Sequence, residues 1–259
     1  MAYETLEFTK KDGVGILTVS RSKALNALNA QVIQELCEML NALKNDQDLR
    51  CLIVTGCGES FVAGADIAEM SAREPNTGED MAHAGQHALG LLSELAVPTI
   101  AAVNGFALGG GLELALACDF IVASEKAKMG FPEVSLGLIP GYGGTQRLAR
   151  CVGLAKARMM ILTGDIYSAQ ECERLGVAAL VVAVDQLMST CEKLANTIAS
   201  RSPVALGFAK RAINAGFDVS LDEGLRKEAQ LFGKVFATTD KQEGVAAFLE
   251  KRTPKFPAA

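Results

Sequence analysis

Three consecutive glycines at 109–111 constrain the possible folds of this chain more than any other feature of its sequence. They follow an apolar run at 99–103 and precede a Leu- and Ala-rich run in which Glu113 is the one ionisable residue. This order predicts a buried strand, a turn and the start of a helix. Glycine is favoured where the backbone takes unusual dihedral angles or lies very near a ligand. Free N–H groups at such a helix start would suit a carbonyl oxygen that gains negative charge.

Two further features could belong to the same site. Ala63-Gly64-Ala65 follows the apolar run at 51–55, where small residues either let another molecule approach the main chain or form a close-packed turn. Glu133 lies among apolar residues, so desolvation is expected to favour its protonated form unless it faces water. Glu113 is expected to be charged, because it lies beside the positive end of the helix dipole. Two interpretations stay open: Glu113 takes part in chemistry, or it is only a carboxylate whose charge is favourable at the start of a helix.

Together these residues predict a pocket in which two backbone N–H groups bind a carbonyl oxygen while Glu113 and Glu133 handle a proton and a water. Neighbouring carboxylates do not both ionise easily, so one would serve as base and the other as acid. A Ser-His triad has no good candidate because the sequence lacks a Gly-x-Ser-x-Gly segment. The Gly-rich segment at 137–147 lacks the Lys-Ser/Thr pair of a nucleotide-binding loop.

Composition limits the other classes of function. The net charge of −5, with scattered Lys and Arg, argues against nucleic-acid binding. No apolar run approaches the roughly 20 residues that cross a bilayer, and the first residues lack a signal-peptide pattern, so we expect a soluble cytoplasmic protein without a membrane partner. The odd set of cysteines has no Cys-x-x-Cys pair and is expected to be reduced and buried. It comprises Cys37, Cys51, Cys57, Cys118, Cys151, Cys172 and Cys191.

His83 and His87 are spaced so that both lie on one helix face with Glu79. Imidazoles one helical turn apart can share a metal. No fourth ligand and no His-Glu-x-x-His motif accompany them, so a solvated helix face is the favoured interpretation and no metal site is expected.

Hydrophobic periodicity predicts an α/β core followed by an all-helical tail, with a boundary near 200–203. Strands are predicted at 3–9, 14–20, 51–55, 99–103, 120–123, 128–131 and 179–184. Helices are predicted at 29–44, 79–95, 155–162, 169–174, 185–200, 203–216, 220–237 and 240–252, and a further helix carries Arg147 and Arg150. The polar segment 70–78 is expected to form an exposed cover.

Four segments resemble the signature sequences of the enoyl-CoA hydratase/isomerase, or crotonase, superfamily. They are Phe-Val-Ala-Gly-Ala-Asp-Ile at 61–67, Asn-Gly-Phe-Ala-Leu-Gly-Gly-Gly-Leu-Glu at 104–113, Phe-Pro-Glu-Val at 131–134 and Gly-Leu-Ile-Pro-Gly-Tyr-Gly-Gly-Thr-Gln-Arg-Leu at 137–148. The similarity runs from Leu17 to the Glu-Lys-Arg at 250–252. The resemblance implies an α/β fold in which a crotonase-like spiral of repeated ββα units at 1–200 holds the acyl-CoA site. It also implies a C-terminal helical oligomerisation domain at 201–259, through which trimers form and usually pair as a hexamer.

The resemblance also implies roles for single residues. Glu113 and Glu133 correspond to the paired acid/base glutamates, and the backbone N–H groups of Ala65 and Gly110 correspond to the oxyanion hole for an acyl-CoA thioester. Gly141 is similar to the glycine near the catalytic water. The other residues that the resemblance places along CoA are Ala63, Asp66, Ile67, Lys23, Ala24 and, from a neighbouring subunit, Phe248 and Lys251. CoA is part of the substrate, and no separate cofactor or metal is implied.

The implied activity is that of an enoyl-CoA hydratase, a carbon–oxygen lyase that adds water to a 2-enoyl-CoA to give 3-hydroxyacyl-CoA and also catalyses the reverse. The resemblance suggests a short-chain substrate such as crotonyl-CoA and a place in β-oxidation or butanoate metabolism. Glu113 would deprotonate the water and Glu133 would donate the proton. Two alternatives stay open: an enoyl-CoA isomerase, which generally needs only the glutamate at position 133, and a non-catalytic acyl-CoA-binding homologue. Ser22 and Ala68 stand where many relatives have Pro and Lys. Because the lysine is absent, the contacts to the CoA phosphates are expected to differ in detail.

Overall fold

The computed structural model describes residues 3–256. The strands in this range are β1 (Leu6–Lys11), β2 (Val14–Val19), β3 (Cys51–Gly56), β4 (Ser60–Val62), β5 (Thr99–Val103), β6 (Phe106–Leu108), β7 (Phe120–Ser124), β8 (Lys128–Gly130), β9 (Ile166–Ser168) and β10 (Leu180–Val182). The α-helices in this range are α1 (Ala30–Leu43), α2 (Ile67–Ser71), α3 (Gly78–Ser93), α4 (Gly110–Ala117), α5 (Gly144–Val152), α6 (Leu154–Thr163), α7 (Ala169–Leu175), α8 (Leu187–Ala199), α9 (Pro203–Phe217), α10 (Leu221–Phe236) and α11 (Thr239–Leu249). Short 3-10 helices lie at Ser22–Ala24, Pro75–Thr77, Pro132–Leu136 and Val184–Gln186.

Two sheets organise residues 3–256. The larger has six strands in the order β1-β2-β3-β5-β7-β10, and the smaller has four in the order β4-β6-β8-β9. In three successive units the first strand (β3, β5 or β7) joins the larger sheet, the second (β4, β6 or β8) joins the smaller sheet, and a helical segment follows. This repeat confirms the predicted α/β spiral of ββα units.

The larger sheet is covered on both faces, which explains why its central strands read as continuous apolar runs. Every residue of β3 and β5 is buried. Within the larger sheet, each neighbouring pair in the order β2-β3-β5-β7-β10 is parallel. One face packs against α8 through Cys191 and Ala195. The opposite face joins the core that includes residues of α1, α3 and α4.

The smaller sheet is the part of the fold that the sequence does not predict in full. Its strands β4, β6 and β9 have three residues each, which is too short for a period of two to be seen. The first hairpin is confirmed, but β1 spans Leu6–Lys11 rather than 3–9, because the turn is confined to Asp12 and Gly13, both with positive φ.

All seven cysteines are free thiols, but the prediction that they are buried is wrong for three of them. Cys37 and Cys57 are half-buried and Cys151 is exposed. Cys57 follows the end of β3, and the other two lie on partly exposed sides of α1 and α5.

The predicted boundary near 200–203 falls between α8 and α9. In the described chain no residue of α9 or α10 is buried, and Leu221 of α10 is 77% exposed. The starts of α9 and α11 are joined by a hydrogen bond of 2.5 Å from Ser202 Oγ to Asp240 Oδ2. The division into two domains and the trimerisation role of the tail stay predictions.

Gly111 and Gly90 provide a matched test of how closely α4 packs. A Cβ on Gly111 would overlap the carbonyl oxygen of Val62, whereas one on Gly90, inside α3, would meet no neighbouring atom. We expect Gly111→Ala to reduce the free energy of unfolding by about 1–3 kcal/mol and Gly90→Ala to raise it by about 0.5–1 kcal/mol. Thermal unfolding followed by circular dichroism checks both, and equal melting temperatures for the two variants would contradict this account of the packing.

Candidate active site

A cavity of about 620 Å³ opens where the turn after β4, the glycines at the start of α4 and the loop before α5 meet. Gly109 has φ +49, and a Cβ on it would lie 2.8 Å from Glu133 Oε1. The absence of a side chain at this position therefore lets a carboxylate approach the main chain. The predicted site residues on the lining are Ala63, Ala65, Ile67, Gly110, Glu113, Glu133 and Gly141.

Glu113 extends from the first turn of α4 and is almost completely buried, at 2% exposure. Its Oε1 accepts hydrogen bonds of 2.7 Å from the backbone N–H groups of Tyr142 and Gly144. Burial nevertheless raises the pKa of Glu113 to about 7, and the nearby Glu133 adds to the rise. The start of the helix is expected to favour the charged form, but desolvation outweighs the two backbone hydrogen bonds that favour the charge, so the Glu113 carboxyl has a pKa of about 7 and is partly ionised near neutral pH.

Glu133 lies in the 3-10 helix Pro132–Leu136 and is half-buried. Its Oε2 is buried and has no hydrogen-bond partner among residues 3–256. Burial raises the pKa of this carboxyl group, as the apolar neighbours predict. These observations are inconsistent with a glutamate that faces water, and they leave a polar atom beside the cavity to be satisfied by a bound molecule.

Two backbone N–H groups on the same cavity wall, those of Ala65 and Gly110, donate to no acceptor within residues 3–256. They lie close together, since a Cβ on Gly110 would be 3.6 Å from Ala65 N. Their neighbours are held firmly: Leu28 O accepts from Asp66 N at 2.9 Å, and Gly130 O accepts from Gly109 N at 2.9 Å. The flanking bonds fix the backbone and leave two adjacent donors for a ligand oxygen.

Arg147 supports the loop that holds Glu113, a role that is not predicted from the sequence. Its Nη1 donates to Tyr142 O at 2.9 Å, and a Cβ on Gly143, which has φ +111, would overlap this guanidinium. Burial lowers the pKa of Arg147, and the neighbouring Glu113 carboxylate opposes that shift. The signal that could have identified it is an arginine one helical turn after Gly143 and Gly144.

The structure does not bring Asp66 to the cavity, although it follows Ala65 directly. Its carboxylate caps α2 by accepting from Glu69 N at 3.3 Å and pairs with Arg21 at 3.1 Å. These bonds lower the pKa of Asp66. The Asp66 side chain therefore stabilises the start of α2 and the contact with Arg21.

Four other predicted CoA contacts lie off this cavity in their own chain. Lys23 is exposed and Ala24 half-buried in the 3-10 helix Ser22–Ala24. Phe248 is 83% exposed near the end of α11, and Lys251 follows it, also exposed. The expected role of the last pair in a neighbouring subunit's site stays a prediction.

The histidine face of α3 is solvated, since His83 is exposed and approaches Glu79 at 3.5 Å. Among the described residues, no group of three or more His, Cys, Asp or Glu side chains is placed to hold a metal ion. No helix between residues 3 and 256 is both long and apolar enough to span a bilayer.

The pKa of Glu113 predicts a stability effect whose sign depends on pH. Because the folded-state pKa of about 7 is above the ordinary value of 4.5, the protonated Glu113 contributes its full stability only below pH 4.5, and this stability is lost progressively as the pH rises from 4.5 to about 7. Glu113→Gln keeps an oxygen acceptor for both N–H groups and removes the charge. We expect it to be more stable than the wild type by about 3 kcal/mol at pH 8.5 and by little at pH 5. Melting temperatures at both pH values check this. Glu192→Gln, on the exposed side of α8, is the control, and an equal difference at both pH values would contradict the prediction.

The geometry agrees with the comparisons to known proteins. The family model described as "Enoyl-CoA hydratase/isomerase" matches residues 9–258. The chain belongs to this enoyl-CoA hydratase/isomerase family. The match confirms the superfamily resemblance that the four sequence segments indicate.

Relatives named as enoyl-CoA hydratases match nearly the whole chain. A probable enoyl-CoA hydratase of Mycobacterium tuberculosis is 47% identical over 99% of both chains, and a crotonyl-CoA hydratase of Syntrophomonas wolfei is 43% identical over 99% of both. The crystal structure of an enoyl-CoA hydratase from Bacillus anthracis superposes with a TM-score of 0.96 at 38% identity, covering 99% of this chain and 100% of that one.

Proposed function

We propose that the protein hydrates 2-enoyl-CoA thioesters to 3-hydroxyacyl-CoA and catalyses the reverse dehydration. The observation that carries the proposal is that two adjacent N–H donors, with no acceptor among residues 3–256, and two carboxylates of raised pKa converge on one cavity. Relatives that bear the names crotonyl-CoA hydratase and short-chain-enoyl-CoA hydratase support it.

In this proposal the thioester oxygen accepts hydrogen bonds from Ala65 N and Gly110 N. Withdrawal of electrons toward that oxygen makes the β-carbon electrophilic. The water oxygen bonds to the β-carbon, the double-bond electrons move toward the thioester, and the α-carbon then takes a proton. The water molecule supplies the hydroxyl group on the β-carbon and, in the overall reaction, the hydrogen added to the α-carbon. No oxidant, reductant or separate cofactor is therefore needed.

The two carboxylates would divide the proton transfers. Oε1 of Glu113 is held by two N–H groups, which leaves Oε2 to orient the water and accept its proton. The buried, unpartnered Oε2 of Glu133 would carry the proton that the α-carbon receives. Dehydration would use the same groups with their roles exchanged.

We further propose that the protein assembles through its C-terminal helices, as a trimer or a hexamer of two trimers. Apolar side chains of these helices are exposed in the isolated chain, including Phe232, Phe236 and Phe248. Assembly would place Phe248 and Lys251 beside a neighbour's CoA. A cytoplasmic location is supported by the seven free thiols.

The experiment that tests the activity uses purified protein and crotonyl-CoA. The proposal predicts loss of the enoyl absorbance and a product heavier by one water. Conversion of a 3-enoyl-CoA to its 2-enoyl isomer without any hydration would instead establish an isomerase. Binding of CoA esters with no turnover of any 2-enoyl-CoA would establish the non-catalytic alternative.

A further inference from the structure

A second cavity of about 390 Å³ lies behind the active-site cavity, between α1, α2 and α3. Two residues, Met81 and Tyr142, line both cavities and therefore lie between them; this pair is called the wall. The apolar residues Leu28, Ile33 and Ala84 line the second cavity. Charged residues, among them Glu69, Arg73 and Asp80, also line this second cavity.

The Tyr142 ring fills the wall tightly. It is 6% exposed and lies between two glycines on different helices. A Cβ on Gly110 at the start of α4 would lie 3.6 Å from Cδ2 of the ring, and a Cβ on Gly85 of α3 would overlap the opposite edge. The ring therefore occupies the space between α3 and the N–H group that we assign to the thioester oxygen.

The ring is fixed at its backbone as well as by packing. Tyr142 N donates to Glu113 and Tyr142 O accepts from Arg147. Close packing at two opposite edges of the ring, against Gly85 and near Gly110, prevents it from swinging aside without a shift of α3. An acyl chain that extends from the reactive carbons toward α3 meets this ring.

We propose that Tyr142 is a specificity-determining residue that ends the acyl-binding part of the cavity and restricts the enzyme to short acyl chains. The second cavity is then the space that a longer chain would enter if the ring were absent, with its first methylenes against Leu28, Ile33 and Ala84. This inference rests on the proposed function, because it assumes that an acyl-CoA thioester binds at Ala65 and Gly110.

The test compares kcat/KM for crotonyl-CoA and 2-decenoyl-CoA in the wild type, Tyr142→Ala and Tyr142→Phe. Each variant keeps the backbone N–H that binds Glu113. We expect the wild type to favour crotonyl-CoA at least about tenfold, and Tyr142→Ala to raise the decenoyl-to-crotonyl ratio by about 10- to 100-fold. Tyr142→Phe keeps the ring and should leave the ratio within about twofold. An unchanged ratio in Tyr142→Ala would overturn the proposal, as would a wild type that favours 2-decenoyl-CoA.

A further variant and a binding measurement allow the proposal to be tested even if Tyr142→Ala does not fold or the protein hydrates no enoyl-CoA. Tyr142→Leu opens the wall in part and replaces the alanine variant if that variant does not fold, with the ratio expected to rise less. If the wild type hydrates no enoyl-CoA, the proposed function fails, and calorimetric binding of butyryl-CoA and decanoyl-CoA still tests the wall. Decanoyl-CoA should gain affinity over butyryl-CoA in Tyr142→Ala, and no gain would overturn the inference.

Discussion

Replacement of Glu133 by glutamine is expected to reduce kcat for the hydration of crotonyl-CoA by about 100- to 10,000-fold, the range for loss of a general acid or base. The change preserves the shape of the side chain and removes the proton carried by Oε2. Glu113→Gln should cause a loss in the same range, because an amide cannot accept a proton from water. The decrease of enoyl absorbance measures both rates, with the exposed Glu192→Gln as control.

The two glutamine variants also separate hydration from isomerisation. Movement of a double bond needs one proton relay, whereas hydration needs the activated water as well. If Glu113→Gln abolishes hydration but still converts a 3-enoyl-CoA to its 2-enoyl isomer, Glu113 is the residue that activates the water, as we propose. Undiminished hydration in Glu113→Gln would show that this division of roles is wrong.

The second large effect is expected from Gly110→Pro, which removes one of the two N–H donors. Proline is tolerated at the first position of a helix, where Gly110 lies. Loss of one such donor reduces kcat by about 100- to 1,000-fold. Gly110→Ala is the matched control, because it keeps the N–H and adds a Cβ 3.3 Å from Leu28 Cδ1.

We expect Gly110→Ala to retain activity within about tenfold of the wild type, since its Cβ requires a shift of the neighbouring side chain of only a few tenths of an ångström. Melting temperatures of both variants show whether each is folded. Equal losses of kcat in folded Gly110→Pro and Gly110→Ala would contradict an oxyanion role for this N–H.

The sequence predicts the parts of the fold that depend on local patterns. Buried parallel strands such as β3 and β5 are continuous apolar runs, and α1 begins where Asn29 caps it, as its periodicity indicates. The strands of the smaller sheet are too short to carry a pattern. They form because distant segments pair, such as β6 with β8.

The chemistry of the site is less predictable because it depends on distant residues. Glu113 is identified from the sequence as a candidate, but its pKa is raised because it is buried beneath the Tyr142–Gly144 loop. This loop lies 29 to 31 residues after Glu113 in the chain. Asp66 follows Ala65, whose N–H we propose as an oxyanion donor, yet the Asp66 side chain caps α2 instead. The wall formed by Tyr142 is recognised only once Gly85 and Gly110 are seen on either side of its ring.

The central claim is that one thioester oxygen is held by Ala65 N and Gly110 N while Glu113 and Glu133 face the reacting carbons. A crystal structure of the enzyme with unreactive butyryl-CoA tests it most directly. We predict the thioester oxygen within about 2.7–3.2 Å of both nitrogens, with the α- and β-carbons between the two carboxylates. A thioester oxygen bound away from these N–H groups, or either carboxylate out of reach of the acyl carbons, would contradict it.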